Sequence, residues 1–322
     1  MTSGEKFMRL ALAEAEKGRG RTHPNPAVGA VLVKGGKLIA RGHHEKAGLP
    51  HAEVNALRGA GAKARGADLY VTLEPCNHHG RTPPCTEALI ASGVKRVFYG
   101  SPDPNPLVDG HGAGRLEAAG MEVQGNLLRA ECDASNEPWF KFITRGLPWV
   151  VLKAAVTLDG KLAGGPQPIS GEASRALVHL WRDQLDAVLV GAGTVRADDP
   201  QLTVRGVSGG RNPVRVVLGE APPQARLWRE PGETVVAKGP LEGVLRDLAA
   251  RGLTSVLVEG GANVHGQFLG TDLWDELRLF IAPKIFGTRA LSWAGLDQKR
   301  SLRLRSVAEI GNDVLLVLRP EA

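Results

Sequence analysis

The chain has 322 residues, 43% of them hydrophobic, which is ample for two packed cores at roughly 100 to 200 residues per domain and excludes a disordered or fibrous protein. Its formal charge of +6 comes from 40 basic and 34 acidic residues that are intermixed, 19 against 15 up to Gly146 and 21 against 19 beyond it, so neither half is a basic nucleic-acid-binding arm. Three cysteines cannot close a disulfide framework, no stretch reads as a signal peptide, and no run of about 18 apolar residues lacks charge, so a cytoplasmic protein with no membrane span is expected.

Taken in chain order, Thr2 and Glu5 match a helix-capping box, and Phe7, Leu10, Ala11 and Ala15 recur at helical spacing until Gly18. Ala27 to Val33 and Lys37 to Arg41 read as strands joined by a Gly35-Gly36 hairpin turn. A helix near Ala52 to Gly61, a strand at Leu69 to Leu73, a helix near Cys85 to Ser92 and a strand at Val94 to Tyr99 follow. Pro138 to Pro148 breaks the pattern, and a strong strand follows at Trp149 to Leu158, which places the domain boundary at Gly146. The second half alternates again. A helix at Glu172 to Leu185 is followed by strands at Ala187 to Val190, Val214 to Leu218, Thr234 to Ala237 and Ser255 to Glu259, with further strands near Leu277 to Ala282 and Val314 to Leu318. Two α/β domains, residues 1–146 and 147–322, are expected.

Seven of nine histidines and all three cysteines lie before Gly146. Within that half, His51-Ala52-Glu53 opens one helix, and Cys76 and Cys85 flank the start of another. One neutral imidazole and two thiolates fill three tetrahedral zinc positions and leave the fourth for a water of lowered pKa. A helix N-terminus depresses a thiol's pKa, which favours Cys85 as a thiolate. Glu53 can pass a proton from that water to a departing amine. Isolated buried cysteines are otherwise ordinary core residues, and Cys132 is read as one. His43, His44, His78 and His79 are further candidates for substrate contact. In the second half, the apolar strand Val256 to Glu259 runs into Gly260-Gly261 and a helical stretch Ala262 to Leu269. That arrangement accommodates an anion at a helix start or simply packs closely, and no G-x-G-x-x-G fingerprint accompanies it.

His51-Ala52-Glu53 with Thr72-Leu73-Glu74-Pro75-Cys76 resembles the cytidine deaminase superfamily. Thr22 to Pro26 and the eight residues between Cys76 and Cys85 resemble its riboflavin-biosynthesis branch. Val156 to Lys161, Val190 to Pro200 and Val258 to Gly261 resemble the matching reductase domain. The likeness covers nearly the whole chain. It implies a cytidine-deaminase-like α/β/α domain followed by a dihydrofolate-reductase-like α/β domain. The implied chemistry is hydrolytic deamination of a phosphorylated diaminopyrimidinone ribosylamine, then NADPH reduction of its ribose to a ribityl chain. Zinc would fall to His51, Cys76 and Cys85, proton shuttling to Glu53, and the pyrimidine to Asn25. NADPH would meet Ala155, Thr194, Asp198 and the stretch from Gly261. Ser170, Arg182, Arg205 and Glu259 would meet the substrate, the arginines as forks for phosphate. Lys153 and Glu259 are the candidates for ring-opening proton transfer. The chain departs from the reductase pattern at Pro168, where a tryptophan is common, and at Gly219, where an aspartate is common.

The competing reading is a tRNA or nucleoside deaminase with an unrelated C-terminal domain; only 5% of residues are aromatic, poor material for a nucleic-acid surface. A structural zinc module would want four Cys or His ligands and no adjacent glutamate. A homo-oligomer is compatible with the sequence.

Overall fold

The computed structural model describes residues 2–79, 83–105, 111–163, 168–294 and 299–321. The chain divides into two compact units, 1–146 and 147–322.

In the first unit, strands β1 (Gly29–Lys34), β2 (Lys37–His43), β3 (Asp68–Leu73), β4 (Arg96–Ser101) and β5 (Glu122–Gln124) form a sheet ordered β2-β1-β3-β4-β5. β1 is antiparallel to both β2 and β3, whereas β3, β4 and β5 are parallel. Alternate residues of β1 serve opposite faces. Val31 and Val33 pack with Phe7, Met8 and Ala11 of helix α1 (Ser3–Ala15), and Ala30 and Leu32 pack with Ala52 and Ala56 of helix α2 (Ala52–Ala60). Both helices come close because glycine stands beneath them: a Cβ on Gly29 would lie 2.0 Å from the Ala11 carbonyl, and one on Gly42 would lie 2.4 Å from the Ala52 carbonyl. The Thr2–Glu5 capping box forms in both directions, at 2.8 and 3.2 Å. Gly35 and Gly36 take φ +57° and +72°, the left-handed pair a two-residue hairpin requires.

Three more α-helices stand among the described residues of this unit: α3 (Cys85–Ser92), α4 (His111–Ala118) and α5 (Arg129–Arg145). The last corrects the expected break after Pro138. The chain stays helical to Arg145 and accommodates Pro138 by a kink at Asn136, which leaves the helical region at φ −124°, ψ 16°. Asn136 pairs both ways with the Ala27 backbone at 2.9 Å, so the kink is anchored, and Trp139 packs into the core.

The second unit holds an eight-stranded sheet ordered β10-β9-β8-β11-β6-β12-β15-β14. Its strands are β6 (Trp149–Thr157), β8 (Ala187–Gly191), β9 (Val214–Leu218), β10 (Thr234–Ala237), β11 (Ser255–Val258), β12 (Glu276–Ala282), β14 (Leu302–Ile310) and β15 (Asp313–Pro320); β7 (Lys161–Ala163) and β13 (Leu291–Ser292) form a separate ribbon. β10 through β12 in that order are parallel, and β15 and β14 run antiparallel at the far edge. β8 and β11 are buried along their whole length, as expected of strands covered on both faces. Helix α6 (Glu172–Gln184) covers one face through Val178 and Trp181. Helices α8 (Leu241–Ala250) and α9 (Ala262–Leu269) cover the other, while the short helix α7 (Ala192–Asp198) follows β8. Among the described residues no helix is long and apolar enough to cross a membrane.

Candidate active sites

In the first unit, the carboxyl end of β3 meets the starts of α2 and α3. His51 is the N-cap of α2, Glu53 lies in its first turn, Cys76 follows β3, and Cys85 begins α3. His51 Nδ1 lies 3.2 Å from Cys85 Sγ and 3.5 Å from Cys76 Sγ. All three donor atoms fall within 4.8 Å of one another, the one such cluster among the described residues. Residues 80–82, between the cysteines, lie outside those described. One nitrogen and two sulfurs converging at this spacing suit zinc with an open fourth position.

The thiols behave as a pair that shares a proton. Cys76 is held at about 4, first by a hydrogen bond from Cys85, with His51 adding to it. Cys85 is pushed up by that same bond and by burial. The Cys85 backbone N–H faces Cys76 Sγ at 3.4 Å, so the start of α3 serves the neighbouring sulfur as well. Burial raises the Glu53 carboxyl, opposed by His51.

His51, Glu53 and Cys76 open onto a cavity of about 350 Å³ that is also lined by Asn25 and His44. Asn25 Nδ2 lies 3.1 Å from His44 Nε2, and the other ring nitrogen of His44 lies 3.1 Å from the Pro50 carbonyl. His78 lines the same cavity, whereas His43 faces Glu14 at 3.7 Å. Cys132 is fully buried, with its thiol pushed up to about 12 by burial, as a core residue should be. The cavity's other lining residues include Glu74, Asp103, Trp139 and Phe142, to none of which the sequence reading assigned a role. Trp139 and Phe142 lie on the part of α5 that the sequence reading took as a break, so their shared face was not legible. Glu74 lies within the Thr72 to Cys76 motif but was given no role there, and Asp103, in its Ser-Pro-Asp-Pro context, carried no signal.

In the second unit, a cavity of about 1450 Å³ lies along the carboxyl ends of the parallel strands. It is lined by Lys153, Ala155, Ser170, Arg182, Thr194, Asp198, Arg205, Glu259 and Gly261, so every residue singled out for this half is brought to one place. Arg182 forms a bidentate pair with Glu259, Nε to Oε1 at 2.6 Å and Nη2 to Oε2 at 3.0 Å, and gives its third bond to the Thr203 carbonyl at 3.0 Å. Its fork, expected to serve a phosphate, is therefore committed to the protein. Arg175, overlooked in the sequence, bonds the Ser170 carbonyl at 2.6 Å, and Arg205 bonds Gln201 at 2.7 Å; both acceptors are neutral. Lys153 Nζ lies 3.7 Å from Glu259 Oε2. Burial opposes charge on Glu259, but Arg182 and Lys153 outweigh it and hold the carboxyl below its ordinary range. Burial lowers Lys153, with Glu259 opposing and Arg182 adding. An acid and a base in contact, the base weakened, can exchange a proton with a substrate that reaches them from the cavity.

The two glycines after β11 have different duties. A Cβ on Gly260 would lie 2.5 Å from that of Val264, so Gly260 lets α9 pack against its own approach strand. Gly261 caps α9 without any side-chain hydrogen bond, and a Cβ there would meet only Thr194 Oγ1, at 3.5 Å. The start of α9 thus presents backbone N–H groups to the cavity, an arrangement that can accept an anion. At the departure noted in the sequence, the Pro168 and Ile169 carbonyls are both held by Lys284 Nζ at 2.8 Å.

The folds and the two cavities define a zinc-type pyrimidine deaminase joined to a dihydrofolate-reductase-like reductase. Comparison with known proteins agrees. A model of the cytidine and deoxycytidylate deaminase zinc-binding region matches residues 1–101, and one of the RibD C-terminal domain matches residues 148–316. The chain is 42% identical to the riboflavin biosynthesis protein RibD of Aquifex aeolicus and 39% identical to that of Escherichia coli, with 98% of each chain covered in both cases. Among solved structures, Acinetobacter baumannii RibD superposes with a TM-score of 0.95 at 38% identity, covering 99% of both chains. A Thermotoga maritima diaminohydroxyphosphoribosylaminopyrimidine deaminase/5-amino-6-(5-phosphoribosylamino)uracil reductase gives 0.93 at 40%, again over 99% of both. The chain belongs to the RibD family of bifunctional riboflavin-biosynthesis enzymes, with a zinc-binding deaminase domain followed by a reductase domain.

Proposed function

We propose that this chain deaminates 2,5-diamino-6-(5-phosphoribosylamino)pyrimidin-4(3H)-one in its first 146 residues and reduces the product's ribosyl chain to a ribityl chain with NADPH in the remainder. The observation that carries the reading is the meeting of His51 Nδ1 with two cysteine sulfurs beside the buried Glu53. His51, Cys76 and Cys85 hold zinc, which when bound supplies a water acidic enough to ionise near neutral pH. Glu53 accepts a proton at its carboxylate and returns it to the departing amine, so that ammonia leaves and a carbonyl remains. Asn25, set by His44, orients the pyrimidine.

In the second cavity NADPH, when bound, supplies hydride. Ala155, Thr194, Asp198 and Gly261 position it, and Ser170, Arg205 and the Arg182–Glu259 pair position the substrate. Lys153 and Glu259 move the proton that opens the ribose ring. A small phosphorylated substrate, rather than nucleic acid, agrees with the balanced charge and 5% aromatic content. A cytoplasmic setting agrees with three free cysteines.

The test is a coupled assay with the purified full chain: ammonia release from the diaminopyrimidinone, then NADPH oxidation. Zinc content is measured in parallel in Cys76→Ser and Cys85→Ser. Zinc retained by both variants, or NADPH oxidation with no dependence on deaminated substrate, would overturn the assignment.

A further inference from the structure

The large cavity extends well past the residues assigned to hydride transfer. Lys153 stands on β6, and the cavity lining continues beyond β11, β8 and β9 to Lys238 and Gly239 after β10. Four strand spacings of about 4.8 Å separate β6 from β10, so the far rim lies about 19 Å across the sheet from the reacting groups. Ligands of open α/β sheets lie across the carboxyl ends of the strands. A dinucleotide with its reacting end at β6 and its phosphates near the start of α9 therefore brings its other ribose toward β9 and β10.

Three charged side chains stand at that rim. Leu218 and Ala237 are the last paired residues of β9 and β10, and the chain leaves them as Gly219-Glu220 and Lys238. Gly219 takes φ +86° and is tied by its N–H to the Ala237 carbonyl at 2.9 Å, which places Glu220 and Lys238 side by side. Their side chains pair at 2.6 Å while both stay largely solvent-exposed, so Lys238 is held at the rim without being sequestered. Arg196, on α7, donates from Nη1 to the Glu220 carbonyl at 3.0 Å and lines the same end of the cavity. Two cations and one carboxylate leave the rim net positive. An acidic residue alone at such a place selects a ribose 2′-hydroxyl, whereas a basic one accommodates a 2′-phosphate.

We propose that Lys238 and Arg196 form the site that distinguishes NADPH from NADH, by holding the 2′-phosphate, and that Glu220 positions Lys238 and gives it up when the phosphate arrives. This rests on the NADPH-dependent reduction proposed above. The exchange swaps one carboxylate for a phosphate at the ammonium, so the pair keeps the lysine extended over the cavity before the nucleotide binds.

The probes are 2′,5′-ADP and 5′-ADP, titrated calorimetrically into the zinc-loaded full chain, alongside rates with NADPH and NADH. The intact protein should bind 2′,5′-ADP at least about tenfold more tightly than 5′-ADP. Lys238→Ala and Arg196→Ala should each cut the NADPH-to-NADH ratio of kcat/KM by about tenfold, mainly through KM, since the contact is remote from the hydride. Lys238→Arg should restore most of it, which a merely structural lysine would not require of its charge. Glu220→Gln should tighten 2′,5′-ADP, because the competing carboxylate is gone. Equal affinity for the two probes in the intact protein, or a coenzyme ratio unmoved in the Lys238/Arg196 double variant, would overturn the proposal while leaving the reductase reading intact. Reduction with neither coenzyme would overturn the reductase reading itself.

Discussion

His51, Glu53, Cys76 and Cys85 lie close together in sequence and are delivered by one strand end and two helix starts. Lys153, Arg182 and Glu259 come from β6, from α6 and from the turn after β11, and meet only because β11 inserts between β8 and β6. The difference teaches which sites a motif can announce. A metal site needs particular donor atoms at short range, and this constrains residue types over a short stretch. A buried acid–base pair needs only opposite charges at the right depth, and many sequence positions supply those.

The sharpest way to break the comparison is at Glu53. Glu53→Gln should keep zinc and lower deamination by about 10²- to 10⁴-fold, with reduction unchanged. Near-normal deamination at full zinc occupancy would remove the carboxylate from the mechanism.

Next in size is Arg182→Met, which leaves Glu259, 9% exposed at its side chain, facing Lys153 alone. Removing one partner of a buried pair costs about 3 to 5 kcal/mol, so the second unit's unfolding midpoint should drop while the first unit's does not. Because the folded Glu259 pKa is lowered, its contribution is present above the ordinary carboxylate range and is lost as pH falls through the folded value. The loss in Arg182→Met should accordingly be large at neutral pH and shrink in acid; a pH-independent difference would contradict the pairing.

His265 sharpens the comparison on a smaller scale. It is fully buried on α9, packs edge-on against Trp293, and is held at about 4 by burial against an ordinary 6.5. A lowered folded pKa means stability present above 6.5 and lost as pH falls from there toward 4, worth about 3 kcal/mol. His265→Phe should flatten that part of the second unit's stability profile, and an unchanged acid limb would show the loss arises elsewhere.

The smallest expected effect is on separation. A fragment beginning at Leu147 contains every lining residue of the larger cavity. It should fold, bind NADPH and reduce the deaminated intermediate at an unchanged rate without zinc. A folded fragment that needs zinc for reduction would mean the two chemistries share residues.

Local order was the most legible part of the chain. The Thr2–Glu5 box, the Gly35-Gly36 hairpin, α3 at Cys85–Ser92 and α9 at Ala262–Leu269 lie where the pattern put them, because capping, positive φ and apolar periodicity act within a few residues. The segment after Pro138 was misread for a complementary reason. Proline opposes a helix locally, but the Asn136–Ala27 pairing and the burial of Trp139 are tertiary contacts that outweigh it. α8 was legible but passed over, since Leu241, Val244, Leu245, Leu248 and Ala249 recur at helical spacing, whereas the seven-residue α7 and the edge strand β14 carried no comparable signal.

The same division runs through the sites. Residue types and spacing alone pointed to His51, Cys76, Cys85 and Glu53 as one cluster, and the three donor atoms do meet within 4.8 Å, because metal ligation draws on those atom types at short spacing. Only the tertiary structure decided that Arg182 spends its fork on Glu259, that the start of α3 faces Cys76 as well as carrying Cys85, and that Trp139 and Phe142 line the deaminase cavity. Each of those outcomes depends on distance and burial between residues far apart in the chain. Electrostatic partners are chosen by proximity in the folded state, and a sequence records charge without recording distance.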